Sequence, residues 1–265
     1  MINVIRSLWS AASGMKAQQM NVDTISNNLA NVNTTGFKKS RADFEDLLYQ
    51  TIKPAGAPNS QGSQVPTGIQ VGHGVRVAAT QKMFGQGSLK GTENPLDLAI
   101  KGDGFFQVQM PDGTVGYTRD GSFKLDSNGQ VVTSNGYLLQ PAITLPANAQ
   151  DISVNEEGQV SYTEPGGDAI QQAGQIELAS FANPAGLESV GQNIYESTAA
   201  SGEAAFGVPG GEGYGTIAQN FLESSNVQTV DSMTNMIAAQ RAYEINSKAV
   251  QTSDQMLQQA SNLKR

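Results

Sequence analysis

The sequence has 265 residues, enough for one large domain or two ordinary ones with hydrophobic cores. Its net charge is -8 and only 15% of its residues are charged, which argues against a nucleic-acid partner because phosphate contact needs a basic surface. It contains no cysteine, so disulfides, thiolate nucleophiles and zinc–thiolate sites are excluded. Its apolar runs are too short for a spanning helix or a cleaved signal peptide, so we expect no membrane insertion.

The acidic residues are concentrated in the middle of the chain. Residues 54–221 contain 16 acidic and 6 basic residues, whereas residues 1–53 and 222–265 are close to neutral. The two ends can therefore stack against copies of themselves without strong repulsion, while the middle is the self-repelling part.

Both ends of the chain show the three-and-four spacing of a coiled-coil-like helix. We expect the first helix to close at Gly36, which can adopt a left-handed conformation, and the second to begin near Asn226, because Ser225 and Gln228 resemble a capping box. The seam positions are candidate self-assembly residues: Leu8, Met15, Val22, Ile25, Leu29, Val32, Met236, Tyr243, Val250 and Leu257.

Two interpretations of these helices are open. Each could lie as an amphipathic helix on the core of its own domain. The apolar stripes are narrow, however, and the opposite faces carry amides rather than charges, which suits close contact with other protein. We therefore predict that both faces are buried in an assembly. The amides concerned are Gln19, Asn27, Asn28, Asn31, Gln251, Gln255, Gln258 and Gln259.

Short strand-like runs fill residues 99–195 and are typical of one antiparallel β domain. The turns between them, which we interpret as type I′ turns, are Asp112-Gly113, Asp120-Gly121, Asn128-Gly129 and Asn135-Gly136. The predicted inner apolar residues are Phe105, Val108, Tyr117, Phe123, Val131, Leu138, Ile143, Ile152, Val160, Ile176, Leu178 and Phe181.

The predicted fold class is α+β, with N- and C-terminal helices forming a coiled-coil-like layer, a central antiparallel β domain and extended linkers. Residues 1–36 and 222–265 are expected to form the terminal helical domain, and residues 76–196 the central β domain. Residues 37–75 and 197–221 are expected to be extended connecting regions, because they are rich in Gly, Pro and Ser.

The sequence lacks the residues that an enzyme needs. His73 is its one histidine and lies between two glycines, so neither a catalytic triad nor a histidine metal site can be built around it. No predicted helix follows Gly102-Asp103-Gly104, as a phosphate-binding loop requires. Carboxylates such as Asp103 and Glu156 are not accompanied by the aromatic residues usual in a sugar cleft. We predict no catalysis, no cofactor and no metal.

The two ends resemble the signatures of bacterial flagellar rod and hook proteins, a family of axial proteins. The resemblance lies in residues 26–38 (SNNLANVNTTGFK), 225–227 (SNV) and 236–244 (MIAAQRAYE), and residues 100–106 and 117–123 are similar to motifs of the family's β domain. The motif residues are Asn27, Asn28, Leu29, Ala30, Asn31, Gly36, Phe37, Ser225, Asn226, Gln240, Arg241, Tyr243 and Glu244.

Within this family, residues 44–52 and the following Pro-, Gly-, Ser- and Gln-rich stretch are most similar to subunits of the distal rod. The resemblance implies a structural subunit that polymerises helically into a hollow, rigid drive shaft, which transmits motor torque to the hook and conducts exported subunits. The stretch 51–74 is expected to brace neighbouring subunits and stiffen the rod. The residues assigned to this role are Tyr49, Pro54, Pro58, Pro66 and Gly74.

The resemblance also implies a location and partners. We expect export by the flagellar type III apparatus without a cleaved signal peptide, and assembly in the periplasm beneath a rod cap. The expected partners are copies of the chain itself, proximal rod and hook proteins at the two ends of the polymer, and the surrounding peptidoglycan-layer and outer-membrane rings. Two alternatives stay open: another axial protein (proximal rod or hook), or an exported carbohydrate-binding or adhesive β domain.

Overall fold

The computed structural model describes residues 2–56, 66–165 and 169–262. The chain divides into two compact units, each assembled from separated parts of the sequence. Unit 1 comprises residues 1–29, 40–81 and 229–265, and unit 2 comprises residues 30–39 and 82–228. Terminal helices and a central antiparallel β region are both present, so the predicted α+β class is confirmed.

Unit 1 consists of two long helices and a β-ribbon. Its elements are α1 (Ile2–Ala30), α2 (Thr229–Asn262), β1 (Ser40–Asp46), β2 (Tyr49–Lys53), β3 (Ile69–Gly72) and β4 (Val75–Lys82). The helices contact each other through small and polar side chains: the hydroxyls of Ser7 and Ser253 lie 3.2 Å apart, and a Cβ on Gly14 would lie 2.9 Å from the Asn246 amide nitrogen. In the described part of the chain, neither helix has an apolar stretch able to cross a bilayer.

The first helix ends earlier than Gly36. α1 stops at Ala30, and turns carry the chain to Gly36, whose φ is +68° as a left-handed residue requires. The Gly36 N–H donates to the Glu223 carbonyl oxygen at 2.8 Å, and a Cβ on Gly36 would lie 2.6 Å from the Asp120 nitrogen. Glycine is therefore needed here for close packing within unit 2, not as a helix cap.

The second helix begins at Thr229 rather than near Asn226. Ser225 does not act as the predicted helix cap, because its Oγ accepts a hydrogen bond from Val227 N at 3.3 Å in a local turn. Side-chain bonds of this kind compete with helix formation, which explains the later start.

The ribbon contains most of the described part of the stretch that we expected to be extended. β2 pairs antiparallel with β3, with Tyr49 opposite Gly72 and Lys53 opposite Ile69, and β1 pairs with β4. The stretch therefore folds back on itself, so a single extended segment of this length is not formed. Pro54 and Pro66 are exposed beyond the paired residues, and Pro58 lies outside the described residues.

Unit 2 is built from β-strands. They are β5 (Leu89–Gly91), β6 (Leu98–Lys101), β7 (Phe105–Gln109), β8 (Val115–Thr118), β9 (Lys124–Leu125), β10 (Val131–Val132), β11 (Leu138–Gln140), β12 (Gln150–Val154), β13 (Gln159–Thr163), β14 (Ile170–Gln175), β15 (Leu178–Ser180), β16 (Glu188–Gly191), β17 (Ile194–Glu196), β18 (Ala205–Gly207), β19 (Thr216–Gln219) and β20 (Phe221–Glu223).

The largest sheet has the order β16-β17-β8-β7-β11-β10-β9, with β15 also paired to β7 and β18 to β15. A second sheet has the order β12-β13-β14, and two short pairs join β19 to β6 and β20 to β5. The pairs β19–β6, β20–β5 and β7–β8 are antiparallel. Pairing by β18 and β19 places part of residues 197–221 in sheets, within a segment that we expected to be a connecting region.

Three of the four predicted turns join neighbouring strands, but they are not type I′. Gly113, Gly129 and Gly136 have φ of +86°, +77° and +84°, while the residues before them do not have positive φ. A single left-handed glycine is the pattern of a type I turn followed by a bulge. Two-residue positive φ occurs instead at Gln192 and Asn193, between β16 and β17.

Asp120-Gly121 does not close a hairpin. Gly121 lies outside the left-handed region, and its carbonyl accepts a hydrogen bond from the Leu98 N–H at 3.0 Å. The dipeptide therefore forms a close approach between two segments of unit 2.

The core of unit 2 matches the predicted inner residues, all of which are buried except Leu138 and Ile152, which are half-buried. One cluster is mainly aliphatic and includes Leu178 and Ile143. A second cluster is aromatic and includes Phe105, Tyr117, Phe181 and Tyr195. Several of its rings pack edge to face, as aromatic quadrupoles favour.

Candidate assembly surface

Unit 1 buries small apolar side chains and exposes large ones. The buried apolar residues in its described part are all alanines: Ala11, Ala17, Ala42 and Ala239. Large apolar side chains are exposed on its helices: Trp9, Met20, Val230, Met233, Ile237, Tyr243, Ile245 and Met256. Alanine seams let two helices approach closely but contribute little burial, at about 0.8 kcal/mol per methylene-sized group. Exposed apolar side chains in this number indicate a surface that another protein covers.

The predicted seam residues lie mostly at the edges of the helix contact. The half-buried ones are Leu8, Met15, Val22, Ile25, Leu29, Met236, Val250 and Leu257, and Val32 is half-buried just beyond α1. Tyr243 is 42% exposed. The most covered positions are alanine and Ser253, so the large seam residues retain surface for further contacts.

The structure brings the predicted seam residue Val22 of α1 together with residues of the C-terminal motif. Val22 and Gln19 of α1 and Gln240, Tyr243 and Glu244 of α2 line a groove of 380 Å³. The groove is mostly apolar at its base and carries amide and carboxylate groups that can orient an incoming side chain.

Arg241, another predicted motif residue, lies 3.3 Å from the Glu244 carboxylate, with both side chains largely exposed. Exposed pairs of this kind contribute little to stability. The pair is therefore available to a partner rather than needed for the fold.

Asn28 attaches the end of α1 to the first strand of the ribbon. It is buried, its Oδ1 accepts a hydrogen bond from Ser40 N at 2.8 Å, and its Nδ2 donates to Ser40 O at 2.7 Å. The side chain thus pairs with the first residue of β1 as a neighbouring strand would. By contrast, five of the predicted amides are exposed: Asn27, Gln251, Gln255, Gln258 and Gln259.

The ribbon is attached to α1 at Gly74. The Val75 N–H donates to the Ser13 hydroxyl at 3.3 Å, and Gly74 has φ +109°. A Cβ on Gly74 would overlap that hydroxyl, so a larger residue would push the ribbon away from the helix. Farther along, the ribbon exposes four large apolar side chains, which are Leu48, Tyr49, Ile52 and Ile69.

Unit 2 contains a buried ionic group that the sequence did not reveal, formed by Lys38, Arg119 and Glu223 and here named the junction cluster. The Lys38 Nζ donates to Glu223 Oε1 at 2.6 Å and to the Gly85 carbonyl at 3.0 Å. The Arg119 Nη1 lies 3.6 Å from Glu223 Oε2 and donates to the Gly102 carbonyl at 2.9 Å. All three side chains are at most 3% exposed.

Burial dominates the electrostatics of this cluster. It lowers the pKa of Lys38 and of Arg119, against the opposing attraction of Glu223. Burial also raises the pKa of the neighbouring Tyr195 to about 12. Among the described residues, Glu223 Oε2 and Arg119 Nε have no hydrogen-bond partner, so two cations share one incompletely satisfied carboxylate.

Asn226 completes this region with backbone contacts. Its Oδ1 accepts from Lys39 N at 2.8 Å, and its Nδ2 donates to the carbonyls of Met83 and Gly85 at 2.8 and 2.9 Å. Lys38 and Arg119 fall within the motif segments quoted from the sequence, but Glu223 does not. The partners of Glu223 are far away in sequence, and no local sequence pattern predicts such an ion pair.

Comparison with known proteins agrees with this architecture. Residues 8–38 match the family model of flagella basal body rod proteins, residues 99–162 that of the flagellar hook protein FlgE/F/G D1 domain, and residues 218–263 that of the flagellar basal body rod FlgEFG protein C-terminal region. The three segments contain the terminal helices and much of the β unit.

Relatives share most of the chain. The flagellar basal-body rod protein FlgG of Borreliella burgdorferi is 54% identical over 99% of this chain and 100% of its own, and that of Caulobacter vibrioides is 50% identical over 98% and 100%. The flagellar hook protein FlgE of Helicobacter mustelae is 46% identical over 61% of this chain, but over only 36% of its own. Full-length coverage by the rod proteins, which the hook protein lacks, shows that the chain belongs to the flagellar basal-body rod protein FlgG family.

Proposed function

We propose that the chain polymerises helically through unit 1 into a hollow, rigid rod that transmits motor torque to the hook and conducts exported subunits. As a member of the FlgG family, the chain is a structural subunit of the distal rod of the flagellar basal body, rather than an enzyme. What we propose beyond this membership is that the chain polymerises helically, that the polymer transmits torque, and that exported subunits pass through it.

The observation that carries this proposal is the inverted burial of unit 1. Its described helices bury alanines and expose side chains such as Ile237, at 59%, and Ile245, at 66%. Contact with neighbouring copies would remove this apolar surface from water, at about 25 cal/mol per Å² buried. Near-neutral terminal segments allow such stacking without strong charge repulsion.

The ribbon supports a role in stiffening the polymer. Leu48 is 87% exposed, and Tyr49, Ile52 and Ile69 are also exposed on a two-stranded ribbon whose outer edges are unpaired in the described strands. Such a ribbon can pair or pack with a neighbour. We propose that it braces adjacent subunits against sliding, in place of the single extended segment that the sequence suggested.

Deletion tests the brace separately from polymerisation. Removing residues 49–72 takes away β2, β3 and the stretch between them, including Tyr49, Pro54, Pro58 and Pro66, but leaves both helices. If the stretch is a brace, the shortened chain still polymerises and gives flexible or curved tubes in electron micrographs. Straight tubes of unchanged stiffness would contradict the brace and leave polymerisation unaffected.

Other partners belong to the proposal as well. The acidic segment 54–221 includes most of unit 2, and we propose that this unit faces outward toward the surrounding peptidoglycan-layer and outer-membrane rings, where its net negative charge limits adhesion. Proximal rod and hook proteins would contact the two ends of the polymer, while the export apparatus and rod cap would act during assembly in the periplasm.

Substitution of exposed α2 residues tests polymerisation directly. Ile237→Asp and Ile245→Asp leave the helix pair intact because both side chains are exposed in the single chain. If copies cover these positions, the buried carboxylates block polymer growth and motility is lost. Val190→Asp makes the same chemical change on unit 2, where Val190 is 55% exposed, and is the matched control. Normal polymers from both α2 variants would overturn the proposed interface.

A further inference from the structure

We infer that Glu223 makes the folding of residues 36–39 conditional on the presence of residues 223–226, so that only a chain that includes both segments presents a closed junction for assembly. This inference concerns the junction cluster within unit 2, and its consequence for assembly rests on the proposed function. The contacts, the charges and the chain path support it in turn.

Besides Arg119, three segments distant in sequence meet at the junction cluster: residues 36–39, 83–87 and 223–226. Besides binding Lys38, Glu223 Oε1 accepts from the Gly87 N–H at 2.7 Å, and the Glu223 carbonyl accepts from the Gly36 N–H at 2.8 Å. The Met83 N–H then donates to the Lys39 carbonyl at 2.8 Å. One residue of the C-terminal segment therefore holds both of the other segments, through its side chain and its backbone.

The charges make this arrangement all-or-none. Lys38 and Arg119 are buried beside one carboxylate, with the Asp103 carboxylate as a more distant compensating charge. Without Glu223 the closed junction would enclose two cations with no buried anion, which burial strongly disfavours. The first segment consequently gains its buried position only when the last one is present.

The path of the chain links this coupling to the segments that lead into the two helices. The chain passes between the two units after residues 29, 39, 81 and 228, and each point lies close in sequence to one of the three segments. Lys38 and Glu223 are separated by 185 positions, so the junction closes only after nearly the whole chain is available. An incomplete chain would keep the segments that lead into α1 and α2 open.

Amide exchange in the full-length chain tests the coupling. We expect Glu223→Gln to increase exchange together at the N–H groups of Gly36, Lys39, Met83 and Gly87, by at least 10-fold. Amides of β13 should change much less, because this strand pairs only with β12 and β14 among the described strands. Glu188→Gln removes the same charge from an exposed position on β16 and is the matched control.

A double-mutant cycle identifies the interaction responsible. Lys38→Met leaves Glu223 with Arg119, and the combined Lys38→Met/Glu223→Gln change should raise exchange less than the product of the two single effects. Multiplicative effects, separate responses of the four amides, or an equal rise throughout unit 2 would each overturn the inference.

The same variants separate the inference from the proposed function. If Glu223→Gln opens the junction, it should also slow polymerisation while leaving the β core folded. Opening without any loss of polymerisation would overturn the assembly consequence. Normal polymerisation of the Ile237→Asp variant would instead contradict the proposed interface, whatever the result of the amide-exchange experiment.

Discussion

The two units of this chain differ in which apolar side chains they bury. Unit 2 contains both hydrophobic clusters, and Phe106, Val108 and Leu178 are fully buried in it. Unit 1, in its described part, buries only alanines among its apolar residues, although its helices are the longest elements of the chain. A unit with a closed core can fold alone, whereas long helices without one depend on contacts outside the chain.

This difference shows why a long helix in a structure need not be a stable element. Helices gain most of their stability from packing an apolar face, and the ordering of each residue costs about 1–2 kcal/mol. In unit 1 the apolar helix faces whose burial could offset this ordering cost are exposed. The predictions below test whether the two units really differ in this way.

The largest expected effect is complete loss of polymerisation. Ile25→Asp or Val250→Asp places a carboxylate in the half-buried seam of α1 or α2, where coverage by neighbours would desolvate it at several kcal/mol per contact. Motility should vanish while unit 2 stays folded. Val190→Asp adds the same charge at an exposed position of unit 2, outside the helices, and should be tolerated. Rods of normal length from the seam variants would assign the interface to other residues.

The next largest effect concerns the free monomer. We expect amides in residues 22–29 and along α2 to exchange at least about 10³-fold faster than amides of β7 and β8, because the helices lack a core and β7 lies in the middle of the largest sheet. Hydrogen exchange on a sample shown to be monomeric measures this, and limited proteolysis should leave a fragment centred on unit 2. Equal protection in both units would remove the distinction between them.

The sequence predicted the elements whose stabilising contacts are local or periodic. Both helices follow from three-and-four spacing, and the core of unit 2 follows from apolar alternation between glycine turns. The spacing nevertheless selected large side chains such as Met15 for the seam, whereas the structure buries Ala11 and Ala17 most deeply. Pattern reasoning ranks residues by hydrophobicity, while the closest approach of two helices selects for small size.

The features that escaped prediction depend on distant residues. The residues around Gly36 in the sequence predict that it caps α1. In the structure its N–H instead donates to the Glu223 carbonyl oxygen. The ribbon formed by β2 and β3 was missed because prolines and glycines surround short strands. The junction cluster joins three charged residues that sequence alone would place on the surface.

A smaller effect compares one large side chain in each unit. Phe106→Ala should lower the free energy of unfolding of unit 2 by about 3–5 kcal/mol, because Phe106 is fully buried and packs edge to face on Phe123. Ile237→Ala should change monomer stability by less than about 0.5 kcal/mol, since this side chain is exposed. Urea unfolding followed by circular dichroism measures both, and comparable losses would show that the helical unit has a core of its own.

The smallest effect is a dependence of unit 2 on alkaline pH. Burial raises the pKa of Tyr195 to about 12 from an ordinary value of 10.0, with Arg119 opposing the shift and Glu223 reinforcing it. Between these two pKa values the unfolded chain loses the phenol proton and the folded chain keeps it, so the free energy of unfolding falls as pH rises.

The loss attributable to Tyr195 should begin near pH 10, be complete near pH 12, and reach about 1–3 kcal/mol. Tyr195→Phe removes this titration but keeps Lys38 and Arg119, so their own titrations are shared by both proteins. We therefore expect the free energy of unfolding to fall more steeply with pH for the unsubstituted protein than for Tyr195→Phe. Urea unfolding of the two proteins at pH 9, 10 and 11 measures this difference. Parallel curves would mean that the phenol is as accessible to water as the side chains of unit 1, which would weaken the contrast between the two units.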